Sequence, residues 1–320
     1  MPKYSVIIPV YNRPEEVDEL LESLTKQTFQ DFEVLIIEDG STLKCEDRVA
    51  KFQDQLSIQY FFKENSGQGF SRNYGFERAT GEWFIVFDSD CLIPANYFEK
   101  VENHLKSENL DAYGGPDKAA DSFTYTQKAI SYSMTSPLTT GGIRGNKSKV
   151  GKFHPRSFNM GIRKEVFEET DGYIITRKGE DIEFSIRIAE KGFRVGLIPD
   201  AFVYHKRRTN FLQFFKQLHF FGTARINIGR FYPKEVKLVH WFPAVFTIGL
   251  VLCLLGWFFH MKLGLYGLRL YLLYFIGIFL FAAGKTENFI VGLLSVVASF
   301  VQLTAYGLGF LQEWIQKTSR

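Results

Sequence analysis

Three apolar runs near the carboxyl end, at about residues 240–260, 264–284 and 288–311, constrain this chain more than any other feature. Each has about the 20 residues needed to cross the hydrocarbon of a bilayer. A backbone in hydrocarbon must satisfy its own polar groups, so such runs can only be helices. Trp241 and Trp257 lie near the ends of the first run and Trp314 follows the last, as interfacial aromatics do. The links His260-Met261-Lys262 and Gly284-Lys285-Thr286-Glu287-Asn288 leave no room for another domain. Arg225, Arg230, Lys234 and Lys237 precede the first run, and the positive-inside rule then predicts that everything upstream is cytoplasmic. Three spans would put the carboxyl terminus outside; two spans and a re-entrant third are the alternative. Arg269, near the start of the second run, is expected to snorkel to the interface.

Upstream the pattern is that of a globular α/β protein. Net charge is only +3, which gives no global sign of a nucleic-acid partner. Cys45, Cys91 and Cys253 are far apart, with no metal-ligand spacing, and predict a reducing compartment without disulfides. No signal peptide is expected before the first strand, Tyr4 to Val10. Pro14 suits the first turn of a helix, and Val17, Leu20, Leu21 and Leu24 fall on one face of it. Glu33 to Ile37 and Ile58 to Phe62 read as further strands, giving the alternation of a βαβ sheet.

The run Trp83-Phe84-Ile85-Val86-Phe87 reads as a strand buried on both faces, and it stops at Asp88-Ser89-Asp90. Open α/β sheets place ligands at the carboxyl ends of their strands. Two carboxylates there repel each other unless a cation lies between them, although Asp and Ser also favour plain turns. Glu38-Asp39-Gly40-Ser41 ends an earlier strand in the same acidic way. Asn65 to Gly75 carries Gly67 and Gly69 into a helix, and backbone N–H groups at such an opening can hold an anion. Residues 121–150 are expected to form a long loop, and Arg156 to Ile162 a strand. Glu180-Asp181 opens an amphipathic helix that Gly192 ends, and Ala201 to His205 is a last strand. From Lys206 to about Lys237, phenylalanines alternate with basic residues, as in an amphipathic helix on a membrane surface.

Six of these pieces, in this order, resemble the inverting glycosyltransferases of family 2. They are Ser5 to Arg13, Glu38 to Ser41, Asn65 to Gly75, Asp88-Ser89-Asp90, Gly179-Glu180-Asp181 and Tyr204-His205. The resemblance spans about residues 4–232 and implies a GT-A fold, a Rossmann-like, mixed, mainly parallel sheet. It divides the chain into a catalytic domain over 1–205, an interfacial amphipathic segment over 206–237 and a transmembrane region of about three helices over 238–320. It implies that Asp88, Asp90 and His205 hold a divalent metal, Mn or Mg. Asp90 is the firmer ligand of the pair, and Asp88 also lies toward the ribose. It implies that Pro9, Tyr11, Asn12, Arg13, Glu38, Asp39, Asn65, Gly67, Arg72, Asn73, Asp88, Ser89 and Arg225 serve the nucleotide-sugar. Asp181 would take the acceptor's proton, with Glu180 competing for that role.

The implied activity is a metal-dependent, inverting transfer of one sugar from a nucleotide-sugar, UDP-linked by expectation, to a lipid-linked acceptor. It would occur at the cytoplasmic face of the cell's inner membrane, in polysaccharide or glycolipid synthesis. Gln217, Gly222 and Arg225 resemble a segment that closes over the donor in membrane-anchored members. The Gln-x-x-Arg-Trp motif of processive synthases is missing, hence one sugar per acceptor. Two alternatives stay open: a polyprenyl-phosphate sugar synthase, and a nucleotide-sugar-binding subunit without turnover. Loss of the acidic pair or of the base would mark the second, and this chain has both.

Overall fold

The computed structural model describes residues 1–118, 123–140 and 153–318. The chain forms two compact units, one of Met1–Ala120 with Gly151–Lys206 and one of Asp121–Val150 with Arg207–Arg320.

The first unit begins with β1 (Tyr4–Val10), α1 (Pro14–Thr25), β2 (Phe32–Asp39), α2 (Glu46–Ala50), β3 (Ile58–Lys63), α3 (Gln68–Phe76) and β4 (Trp83–Phe87). It goes on through β5 (Cys91–Leu92), α4 (Tyr97–Ser107), β6 (Ala112–Gly114) and β7 (Asp117–Lys118). The order β3-β2-β1-β4 is parallel throughout, the doubly wound arrangement that the alternating pattern predicts. Apolar residues along these strands divide by parity. Val6, Ile8, Val34, Ile36, Ile85 and Phe87 pack on one face with Val17, Leu20, Leu21 and Leu24 of α1. Ile7, Leu35, Ile37, Phe84 and Val86 pack on the other, so both faces are covered.

After the second unit's insertion, the chain returns with β8 (Asn159–Arg163), which runs antiparallel to both β4 and β6. The strand expected from Arg156 thus starts at Asn159, opposite Phe87, the last residue of β4. A buried hydrogen-bond chain fixes this region. Tyr97 donates to Asn159 Oδ1 at 2.6 Å, and Asn159 Nδ2 donates to the Ala201 carbonyl at 2.8 Å. The unit closes with α7 (Lys164–Thr170), α8 (Glu180–Glu190), β9 (Val195–Leu197) and β10 (Val203–His205). β9 extends the main sheet beyond β6, and β5-β10-β7 form a small second sheet.

The second unit corrects the expectation of a loop over 121–150. Its described residues there form α5 (Tyr125–Thr135) and α6 (Pro137–Thr140), with Thr124 and Gln127 making a capping box. The rest of that expected loop, residues 121–122 and 141–150, lies outside the described residues. α9 (Phe211–Phe231) follows, then short 3-10 turns, α10 (Phe242–Phe258), α11 (Lys262–Thr286) and α12 (Phe289–Thr318). Val291, Ala298 and Ala305 of α12 pack against Ala129, Ile130 and Met134 of α5 and against Phe214 and Leu218 of α9. Gly222 lets α9 lie on the α12 backbone, since a Cβ there would stand 2.7 Å from the Phe310 nitrogen. Arg230 and Glu313 add an ion pair at 2.7 Å.

Among the described residues, three helical stretches, of 21, 25 and 28 residues, are long and apolar enough to cross a membrane. Leu252, Leu270, Leu273, Leu280 and Phe281 stand exposed on α10 and α11, a surface that water disfavours and lipid does not. Arg269 is exposed beside the Tyr266 ring.

The sheet leaves no room for a side chain at Gly161 in β8, where a Cβ would collide with the buried Tyr113 ring. Gly161→Ala should therefore lower stability by about 1–3 kcal/mol. The check is the thermal midpoint of the detergent-purified chain; an unchanged midpoint would mean the ring yields freely.

Candidate active site

The acidic pair stands where the sheet places it, just beyond the carboxyl end of β4. The Cys91 N–H closes the turn on the Asp88 carbonyl at 3.1 Å. β5 then pairs antiparallel with β10, setting His205 opposite Cys91, and Lys206 N donates to the Asp90 carbonyl at 3.0 Å. This register brings His205 Nε2 to 3.0 Å from Asp90 Oδ1. Phe158 stacks on the imidazole with centroids 5.0 Å apart. Arg13 Nη1 reaches Asp90 Oδ2 at 2.6 Å from the start of α1.

Asp90 and His205 offer a hard oxygen and an imidazole nitrogen to one point, which fits Mn or Mg. Cys91 is the third residue of this cluster, its potential ligand atom within 4.8 Å of theirs. Burial, and then the Asp90 and Asp88 carboxylates, push its thiol well above the usual range. Asp88, expected with them, is held by Arg72 instead, Nη2 to Oδ1 at 2.9 Å.

Arg72 is the hinge of the site. It is 1% exposed, and its other terminal nitrogen meets Glu180 Oε1 at 3.3 Å. Gln68 also donates to Glu180. Burial first, then the Asp181 charge, raise the Glu180 carboxyl above its ordinary range. Asp181 behaves in the opposite way. Burial would push it up, but Arg156 and then Arg72 outweigh that and hold it below the usual aspartate range. Arg156 Nη1 lies 3.0 Å from Asp181 Oδ2, and the Ile182 N–H donates to Oδ1 at 2.9 Å.

The glycine-rich opening of α3 already holds an anion, supplied by the chain itself. Ser66 N and Gly67 N each donate to an Asp39 carboxylate oxygen at 2.9 Å, and Lys63 pairs with the same group. Burial raises the Asp39 carboxyl, but these donors win and hold it low. Gly69 N donates to the Thr176 carbonyl at 3.1 Å, and a Cβ at Gly69 would meet the Ile175 carbonyl at 2.5 Å. The opening is therefore clamped to the segment that leads into α8. Gly179, at φ +98°, turns that segment into α8 in a conformation that favours glycine.

Several residues expected on the nucleotide are occupied in building this frame. Asn65 donates to the Asp39 carbonyl at 2.7 Å and accepts from Arg177 at 2.8 Å. Asn73 exchanges two 2.8 Å bonds with the Tyr173 backbone. Glu38 accepts from Cys45 N at 2.7 Å and from Tyr60 at 3.1 Å. Asn12 Oδ1 accepts from Thr42 N and Leu43 N, at 2.8 and 2.9 Å, tying the loops after β1 and β2 together. Tyr11 is exposed, Pro9 and Asp88 are partly exposed, and Ser89 is buried inside the acidic turn. Arg225 lies half-buried on α9, in the other unit.

Sequence reasoning missed Lys63, Gln68 and Arg156. Lys63 was within reach, because the parallel register sets it opposite Asp39. Arg156 gave no local signal, since its partner is 25 residues further along the chain.

Comparisons with known proteins agree with this architecture. The profile of glycosyl transferase family 2 matches residues 5–171, just over half of the chain. Glycosyltransferase AglE of Haloferax volcanii is 26% identical over 216 residues, covering 65% of this chain and 68% of that protein. An uncharacterised glycosyltransferase of Rickettsia felis is 42% identical over 104 residues, which are 32% of this chain but only 17% of that longer protein. Among solved structures, the mannosyltransferase PcManGT from Pyrobaculum calidifontis, in complex with GDP-Man and Mn2+, superposes with a TM-score of 0.63 at 16% identity. That match covers 99% of this chain and 88% of the other. S. aureus TarS 1–349 in complex with UDP gives a TM-score of 0.51 at 22% identity, over 70% of this chain and 66% of its own. At such identities the solved structures speak for the GT-A-like fold, while the profile speaks for kinship: the chain belongs to glycosyl transferase family 2.

Proposed function

We propose that this glycosyltransferase moves one sugar, with inversion, from a nucleotide-sugar to a lipid-linked acceptor at the cytoplasmic face of a membrane. The observation that carries this reading is Arg72, which joins Asp88 of the acidic turn to Glu180, the neighbour of Asp181. One buried side chain thus spaces a leaving-group end from a base end. The UDP bound by TarS and the GDP-Man and Mn2+ bound by PcManGT support a nucleotide-sugar donor and a divalent ion here too.

Asp181 accepts the proton of the acceptor hydroxyl as its oxygen bonds to the anomeric carbon. The bond from that carbon to the diphosphate breaks on the opposite side, and its electron pair leaves with the nucleoside diphosphate. A divalent ion held by Asp90 and His205 would neutralise charge on that diphosphate. Glu180, buried and raised in pKa, orients Arg72 and Gln68 rather than taking the proton. A base is needed for a neutral hydroxyl and not for a phosphate oxygen, which favours a lipid-linked sugar over a bare polyprenyl phosphate as acceptor. The basic residues ahead of α10 support the cytoplasmic orientation, and α9 with its basic side chains supports an interfacial segment over 206–237.

A donor screen by nucleotide release, with membrane lipid extract as acceptor, tests the activity. Asp181→Asn should cut turnover by roughly 10²–10⁴-fold with nucleotide binding retained; full turnover would remove Asp181 from the base role. Chelation, or His205→Ala, should abolish transfer, and activity in excess chelator would refute the metal. The acid limb of kcat/KM should lie below about pH 4, because the arginines hold Asp181 ionised under its ordinary pKa. A limb well above that value would assign the proton transfer to Glu180.

A further inference from the structure

Both oxygens of Asp181 are in use. Oδ1 accepts the Ile182 N–H at 2.9 Å, and Oδ2 accepts Arg156 Nη1 at 3.0 Å. The first bond belongs to the helix start and persists. The second takes one lone pair of Oδ2 and lowers its basicity, so Asp181 becomes a stronger base when the guanidinium leaves. The backbone around Arg156 cannot move far, because Ser185 of α8 donates to the Pro155 carbonyl at 2.7 Å and Asn159 N donates to the Arg156 carbonyl at 3.0 Å. The Arg156 side chain is 30% exposed, so it can swing while its anchor stays. Among the described residues, the other charged or titratable groups facing Asp181 are Arg72, Glu180 and the Tyr173 hydroxyl, all buried.

We infer that Arg156 is a latch on Asp181: it covers Oδ2 while no acceptor is bound, and an anionic group on the acceptor, a phosphate or diphosphate, draws it off. The inference rests on the proposed role of Asp181 as base. Its chemical consequence concerns water. A donor-loaded site with an uncovered carboxylate would deprotonate water as readily as an acceptor hydroxyl. The water oxygen would bond to the anomeric carbon, the bond to the diphosphate would break, and the sugar would be lost by hydrolysis. Arg156 in place leaves Asp181 a poorer base toward water. A guanidinium does not leave a carboxylate for nothing, and an acceptor phosphate within one sugar of the attacking hydroxyl offers an equal partner.

The test is nucleotide release by the full-length protein from the donor that the screen selects, with no acceptor present. Arg156→Gln should raise this hydrolysis about tenfold or more, with nucleotide binding and thermal midpoint unchanged. Arg156→Lys should stay near the wild-type rate, and Arg156→Gln combined with Asp181→Asn should return to baseline. Millimolar inorganic phosphate should speed hydrolysis by the wild type but not by Arg156→Gln. A wild type that transfers and needs Asp181, beside an Arg156→Gln that hydrolyses no faster, overturns the latch alone. Absence of the phosphate effect overturns release by an anion. If Arg156→Gln does not fold, a fast Arg156→Lys overturns the latch as well. Wild type that releases no nucleotide from any donor with lipid extract instead overturns the glycosyltransfer reading, and the latch with it.

Discussion

Arg72 holds the site together. A guanidinium at 1% exposure is costly to desolvate, and it persists only where carboxylates meet it. Here Asp88 and Glu180 do so, one from the turn after β4 and one from the start of α8. Removing both carboxylates would leave the guanidinium buried without compensation. The pairing therefore fixes the distance between two segments that lie far apart in sequence. Burial on one side and Arg156 on the other sort the adjacent acids 180 and 181. The one that faces Arg72 and Gln68 is buried and raised, and the one that faces the partly exposed Arg156 stays ionised.

Much of the sheet was legible because each strand is a short apolar run ended by polar residues, and both faces need covering. The amphipathic α1 was legible from Val17, Leu20, Leu21 and Leu24, all fully buried. The acidic turn and its distant histidine were legible by resemblance, and the β5–β10 register explains why they meet. The polar neighbourhood was read less well. Asn12, Asn65 and Asn73 drew attention as ligand contacts, yet each bonds the chain's own backbone. A sequence shows that polar groups gather at strand ends. It does not show which of them are consumed in shaping the loops that present the others.

The same reason accounts for α5. Its residues Ser131, Ser133 and Thr135 mask the periodicity that would mark a helix, and its apolar side is narrow. The residues that bury Ala129, Ile130 and Met134 belong to α9 and α12, remote in sequence, so no local window contains the evidence. By contrast α10 to α12 announce themselves by composition alone, since hydrocarbon permits nothing but helix.

The insertion of α5 has a consequence in time. Synthesis runs from the amino end, and every strand of the sheet is made before α10 appears. The apolar side of α5, however, waits for Val291, Ala298 and Ala305, almost the last part of the chain. At roughly 5–20 residues per second that wait is on the order of ten seconds. During it the nascent chain carries an unpaired sticky helix among otherwise finished strands. Completion of that apolar side therefore waits until α12 has left the ribosome.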